Sequence, residues 1–244
     1  MTAELVSKRD ALERPAMSGR TLGTLTIGQA PRSDIAPILQ QHMPGGVAIV
    51  DRGLLDGLSH DEIRSRYGAE GGKPVLLTRL LDGRSVQLGA RKVRDGIQAK
   101  LSALEADGCA AILLLCTGQF HGLRCERAWL LEPDRIIPPA IAGLIQDRQL
   151  GVIVPLPSQM KTESGKWTLL PRMPIFAAAS PYDDPLETLG SAGLSLKQRG
   201  AQALLLDCIG FTEDHRRALA KQTGLPVILS NAVMARLVAE LLAA

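Results

Sequence analysis

Aromatic residues are scarce in this chain: two Trp, two Tyr and three Phe among 244 residues, or 3%. Proteins that hold single-stranded nucleic acid stack its bases on aromatic side chains, so this composition argues against that class. Neither sign of charge is in marked excess. Lys and Arg number 28 against 25 Asp and Glu, a net charge of +3, with no dense basic run for nucleic acid or lipid headgroups. No stretch approaches the ~20 apolar residues of a membrane span. Residues 1–20, MTAELVSKRDALERPAMSGR, have no apolar core of the kind a secretory leader needs and read as a tail. The four cysteines include no C-x-x-C pair, and neither H-x-x-H nor H-E-x-x-H occurs, which argues against a metal site. No G-x-G-x-x-G or Walker loop is present, so nucleotide binding has no support. The expectation is a cytoplasmic protein without cofactor, nucleic-acid or membrane partner. A small anionic ligand needs only a few local donors and stays compatible, as does a homodimer.

What is present is alternation. Thr21 to Ile27 (TLGTLTI) reads as a first strand, followed by the turn Gly28-Gln29-Ala30-Pro31-Arg32 and a helix through Gln41 with Ser33 as its N-cap. Val47 to Val50 is a short second strand. Ser59 with Glu62 three residues on matches a capping box. Val75 to Leu81 and Ser85 to Leu88 flank Asp82-Gly83, the pattern of a β-hairpin. Val93, Ile97, Leu101 and Leu104 recur at helical spacing before Gly108, and Ala110 to Leu115 (AAILLL) then reads as a buried parallel strand. The second half repeats the theme with a helix over 140–149 and strands at GVIVP (151–155), 174–178, ALLL (203–206) and 226–229. Helices cover 186–199 and 212–223, and Ser230-Asn231 cap a final helix. Such alternation predicts a layered α/β fold with mostly parallel sheets. Ligands in such folds sit beyond the carboxyl ends of strands, which selects the turns after Ile27, Leu115, Leu206 and Leu229.

Two of those turns match. AAILLLCTGQF and ALLLDCIGFT each run from an apolar strand into Cys, one residue, then Gly: Cys116-Thr117-Gly118 and Cys208-Ile209-Gly210. The repeat suggests two similar halves facing each other. A thiolate on one side of a carbon next to a carboxylate takes its proton, and a thiol on the other side returns one. Glycine beside each cysteine allows close approach to the backbone. The same pattern also fits two buried cysteines ending two core strands, because cysteine is among the most buried residue types. Cys109 and Cys125 read as structural.

TLTIGQAPRSDI, ARKVRDGIQ, LLEPDRIIPP, GVIVP, LLLDCIGF and LPVILSNAVMARLVAEL, in that order from Thr21 to the C-terminus, resemble the AroM family. That family is similar in turn to the aspartate/glutamate racemase superfamily, which includes amino-acid and hydantoin racemases, maleate isomerases and arylmalonate decarboxylases. The resemblance implies two pseudo-symmetric parallel-sheet lobes with a cofactor-free site in the cleft. Cys116 and Cys208 fall where that superfamily carries its catalytic cysteines. The assigned lobes are 21–130 plus 226–244 and 131–225. The substrate code departs from the racemase pattern: Thr117-Gly118 replaces Asn-Thr after the first cysteine, and Ile209-Gly210 replaces Thr-His or Thr-Glu after the second. The acidic residue after the first strand is absent from Gly28-Gln29-Ala30.

Arg32, in a Gly-x-x-Pro turn beside a helix start, suits a carboxylate clamp. With it, Gly28, Pro31, Thr117, Gly118, Gln119, Ile209, Gly210, Ser230 and Asn231 form the expected substrate-binding set around catalytic Cys116 and Cys208. Turn hydrogen bonding and helix capping explain several of these equally well. The reading is a racemase- or isomerase-like enzyme for a small carboxylate, working through a cysteine-based carbanion. The alternative is a non-catalytic binder of small anions on the same scaffold.

Overall fold

The structure, a computed structural model, describes residues 21–243; the expected N-terminal tail lies outside them. In chain order the elements are β1 (Thr21–Thr26), α1 (Ala36–His42), β2 (Ala48–Gly53), α2 (His60–Tyr67), β3 (Val75–Arg79), β4 (Ser85–Gly89), α3 (Ala90–Ala106), β5 (Ala111–Leu115) and β6 (Trp129–Leu131). The second half holds α4 (Pro133–Ile145), β7 (Leu150–Val154), α5 (Gln159–Thr162), a 3-10 turn (Glu163–Trp167), β8 (Ile175–Ala178), α6 (Leu186–Gln198), β9 (Ala203–Leu206), α7 (Glu213–Thr223), β10 (Val227–Leu229) and α8 (Ser230–Leu242).

Two parallel sheets form, in the orders β2-β1-β5-β6 and β10-β9-β7-β8. Read from β8, the second order is β8-β7-β9-β10. Each half therefore lays down its first strand, pairs the second beside it, and adds the last two on the other flank. Under this correspondence β5 matches β9, and the strands that end at Cys116 and Cys208 occupy equivalent places. The sequence expectation of two α/β lobes related by pseudo-symmetry is met.

The central strands carry the core on both faces. Along β5, Ala111, Leu113 and Leu115 belong to one buried cluster and Ile112 and Leu114 to the other, as the two-residue side-chain period requires. The second cluster rests on α3 through Val93, Ile97, Leu101 and Leu104, all fully buried. Leu101→Ala is expected to cost about 2–5 kcal/mol, read by chemical denaturation, because the surrounding helix and strands only partly collapse into the cavity.

One local expectation held and several changed. The capping box at Ser59 and Glu62 forms and opens α2. Ser33 does not cap α1; Ile35 takes that place and a turn fills 33–35. The helix expected from Ala140 starts at Pro133, with Pro138 and Pro139 inside it. Each proline removes one backbone bond, but Ile137, Ile141 and Ile145 bury the inner face and hold the helix. Strand β6 was not expected. Residues 226–244, grouped by sequence with the first lobe, are divided: β10 pairs with β9 in the second sheet, while α8 packs on α1 and α4.

Candidate active site

Both cysteine turns fold alike. The Gly118 N–H donates to the Cys116 sulfur (3.4 Å) and the Gly210 N–H to the Cys208 sulfur (3.5 Å). The turns are tied to each other: the Thr117 hydroxyl donates to the Asp207 carbonyl at 3.2 Å. Both thiols line one cavity, together with Arg32, Thr117, Gly118 and Ile209 from the expected set. Gly28, Pro31, Gln119, Gly210, Ser230 and Asn231 do not line it.

Each of those six is placed for another reason. A Cβ on Gly28 would fall 2.5 Å from Thr78 Oγ1 and 2.6 Å from the Arg79 carbonyl, so this glycine admits the β3–β4 hairpin. Pro31, after a cis peptide bond, borders a separate surface cleft with Gln29 and Arg79. Gln119 is exposed and faces an outer cavity of about 310 Å³, shared with Arg91, Arg94 and His121. Ser230 and Asn231 lie inside α8, whose N-cap is Leu229, and are buried. Ser230 donates to the Leu206 carbonyl (3.0 Å), and the Asn231 amide donates to the carbonyls of Ile209 (2.8 Å) and Phe211 (2.6 Å). They fix the Cys208 turn from behind. The expectation that they cap the helix is corrected, because their side chains are spent on this loop.

The glycines of the two C-x-G turns admit protein groups. A Cβ on Gly118 would meet Leu76 Cδ2 at 2.7 Å, and one on Gly210 would meet the Tyr182 hydroxyl at 2.2 Å. The free space between the walls is about 20 Å³, room for roughly one water. Leu76, Leu77 and Thr78 of the hairpin form one wall. The hairpin belongs to neither main sheet and is pinned across the site by Gln159 donating to the Val75 carbonyl (3.3 Å) and Ser85 donating to Asp183 (2.7 Å).

The charges are arranged tightly. Arg32 spends its fork on Asp34 (2.9 and 2.7 Å), and also donates to the Tyr182 hydroxyl (2.9 Å) and to Thr26 (3.2 Å). A ligand carboxylate at Arg32 has to compete with Asp34. Burial pushes the Cys208 thiol up to about 11, against the Gly210 N–H and the Arg32 charge, which favour the thiolate. Burial raises Cys116 further; its Gly118 N–H opposes this, while Cys208 and Glu163 add to it. Burial, and then Cys208, hold the Tyr182 phenol well above its ordinary value.

The AroM protein family model matches residues 22–242. The chain belongs to the AroM family. A search of curated proteins finds no sequence match. Among solved structures, this AroM chain is similar to allantoin racemase from Pseudomonas fluorescens, with a TM-score of 0.61 and 14% identity over 91% of this chain and 90% of that one. It is similar to aspartate racemase from Picrophilus torridus (TM-score 0.57, 12% identity, 92% and 95%) and to unliganded arylmalonate decarboxylase (0.57, 13%, 92% and 92%). These likenesses show the aspartate/glutamate racemase-like fold. Among the described residues no helix is long and apolar enough to cross a membrane.

Sequence reasoning missed Tyr182, Glu163, Lys166 and Thr78. Glu163, Tyr182 and Thr78 line the cavity, and Lys166 is ion-paired to two residues that do. One signal was available: the strand-end rule, applied to GVIVP and PIFAA as well, leads to Gln159 and to the Ser180–Asp184 turn carrying Tyr182. Lys166 and Glu163 gave none, since SQMKTESGKW looks like a solvated surface stretch.

Proposed function

We propose that this AroM protein is a cofactor-independent enzyme of the racemase, isomerase or decarboxylase type, acting on a small carboxylate through a carbanion. The observation that carries this reading is the placement of two thiols at the ends of topologically matching strands, lining one cavity. Cys208, the less strongly raised thiol, is the base. Its thiolate takes a proton from the carbon next to the carboxylate, breaking C–H and forming S–H, and Cys116 gives its S–H proton to the opposite face. Backbone amides of the strand-end turns, with the charge of Arg32 in the cavity wall, favour the enolate-like negative charge. Because the cavity holds about one water, a substrate fits only when a wall moves, and the β3–β4 hairpin is a wall outside both sheets.

Deuterium wash-in from heavy water across a panel of small carboxylates, with Cys208→Ser as control, tests the reading. The rate has a definite pH dependence. The active form is the thiolate of a group pushed up to about 11, so exchange by the free enzyme is expected to rise about tenfold per pH unit from neutrality until it levels near that value. A profile that is flat between pH 7 and 9 would remove Cys208 as the base.

The same raised thiols favour a second reading, a non-catalytic binder of small anions, in which both cysteines stay protonated. It predicts calorimetric binding that survives Cys116→Ser together with Cys208→Ser, and no exchange with any carboxylate.

A further inference from the structure

Lys166 is 2% exposed at its side chain, in the 3-10 turn Glu163–Trp167 of the second half. Its ammonium lies 2.6 Å from Asp207 Oδ2 and 3.0 Å from Glu163 Oε2, and donates to the Thr117 carbonyl at 3.0 Å. The Thr117 carbonyl accepts a hydrogen bond from this ammonium, while the two carboxylates lie at ion-pair distance. Two of these partners have a notable address: Asp207 directly precedes Cys208, and Thr117 directly follows Cys116. Lys166 thus grips the chain next to each thiol, one from each sheet, alongside the Thr117 bond to the Asp207 carbonyl.

Stability alone does not account for this arrangement. Withdrawing a lysine and two carboxylates from water is costly, and apolar packing of similar volume is often as stable or more so. In some proteins such buried ion pairs fix the register between elements. The elements registered here are the two cysteine turns, whose separation governs any chemistry on a single carbon between them.

We propose that Lys166 is a positioning residue that sets the spacing of Cys116 and Cys208 through Thr117 and Asp207. It does not line the cavity and acts through the residues beside the two thiols. The inference rests on the two-thiol reading above, and the test separates the two.

The probe is dibromobimane, a short reagent that bridges two thiols, with the bridge located by peptide mass spectrometry and folding followed by circular dichroism. Wild-type protein is expected to give a Cys116–Cys208 bridge. Alkylation of each cysteine singly in the wild type without any bridge overturns the two-thiol reading, and the positioning role with it. Lys166→Met is expected to lower the bridging yield at least tenfold while single-site alkylation of each cysteine persists. Lys166→Met with Glu163→Gln restores the net charge of the cluster; a purely electrostatic or purely structural role predicts recovery, and the positioning role predicts none. Asp207→Asn leaves Lys166 and Glu163 as a charge-balanced pair, so it serves where the lysine variants do not fold. It removes the ion pair beside Cys208 and is expected to lower bridging severalfold. Wild-type bridging in any folded variant lacking Lys166, or in Asp207→Asn, overturns the proposal.

Discussion

Cys208→Ser is expected to abolish measurable deuterium exchange, a loss of about 10²–10⁴-fold if positioned proton transfer is the whole of its role, with the fold unchanged. The substitution is nearly isosteric, so the Gly210 N–H keeps an acceptor where it now meets sulfur at 3.5 Å. What changes is acidity. A hydroxyl is a far weaker acid than a thiol, and burial that already pushes the thiol to about 11 leaves a serine neutral at any accessible pH. Cys116→Ser should separate the two faces: proton removal by Cys208 persists, while return from the opposite side fails. A racemisation assay then falls much more than a wash-in assay started from the enantiomer that Cys208 attacks. Cys125→Ser, outside the cavity, is the control and should change exchange less than twofold. Exchange at the wild-type rate in Cys208→Ser would end the carbanion mechanism as written.

Gly210→Ala is expected to destabilise the protein by about 1–3 kcal/mol, the ordinary cost of overpacking. The new methyl would lie 2.2 Å from the Tyr182 hydroxyl and 2.4 Å from two of its ring carbons. A ring has no flexible end to swing aside, so the whole side chain must turn. That turn breaks its 2.9 Å bond from Arg32. The comparison is Gly118→Ala, where the nearest atom is the terminal Cδ2 of Leu76 at 2.7 Å. Leucine can change rotamer, so the smaller effect belongs there. Urea denaturation measures both. In the Tyr182→Ala background the added cost of Gly210→Ala should nearly vanish, a coupling that a double-mutant cycle reads directly. Additive behaviour would mean that the ring is not what meets the methyl.

The two cases also show how far the sequence could be read. C-x-G was visible twice, and it marked both thiols and their common turn. The purpose of its glycine was read as room for a ligand. The structure fills that room with Leu76 from a hairpin and Tyr182 from the end of β8, neither of which has a sequence relation to the cysteines. Arg32 was read as a carboxylate clamp, and it does line the cavity. That Asp34, two positions on, holds its fork is a matter of side-chain direction in an irregular turn, which no periodicity encodes. Lys166 was the least legible of all, because a lysine between Glu163 and Trp167 looks solvated until the two halves are brought together.

The sequence by itself determined the alternation of strands and helices, the hairpin around Asp82-Gly83, the capping box at Ser59, and the equivalence of the two cysteine turns. These depend on neighbours within a few residues, where side-chain period and turn chemistry act directly. Only the tertiary structure decided that β10 joins the second sheet, that Ser230 and Asn231 brace the Cys208 turn, and that a hairpin, a tyrosine and a buried lysine complete the cavity. Those contacts join residues far apart in the chain, and their geometry is settled by how two sheets pack, which local patterns do not specify.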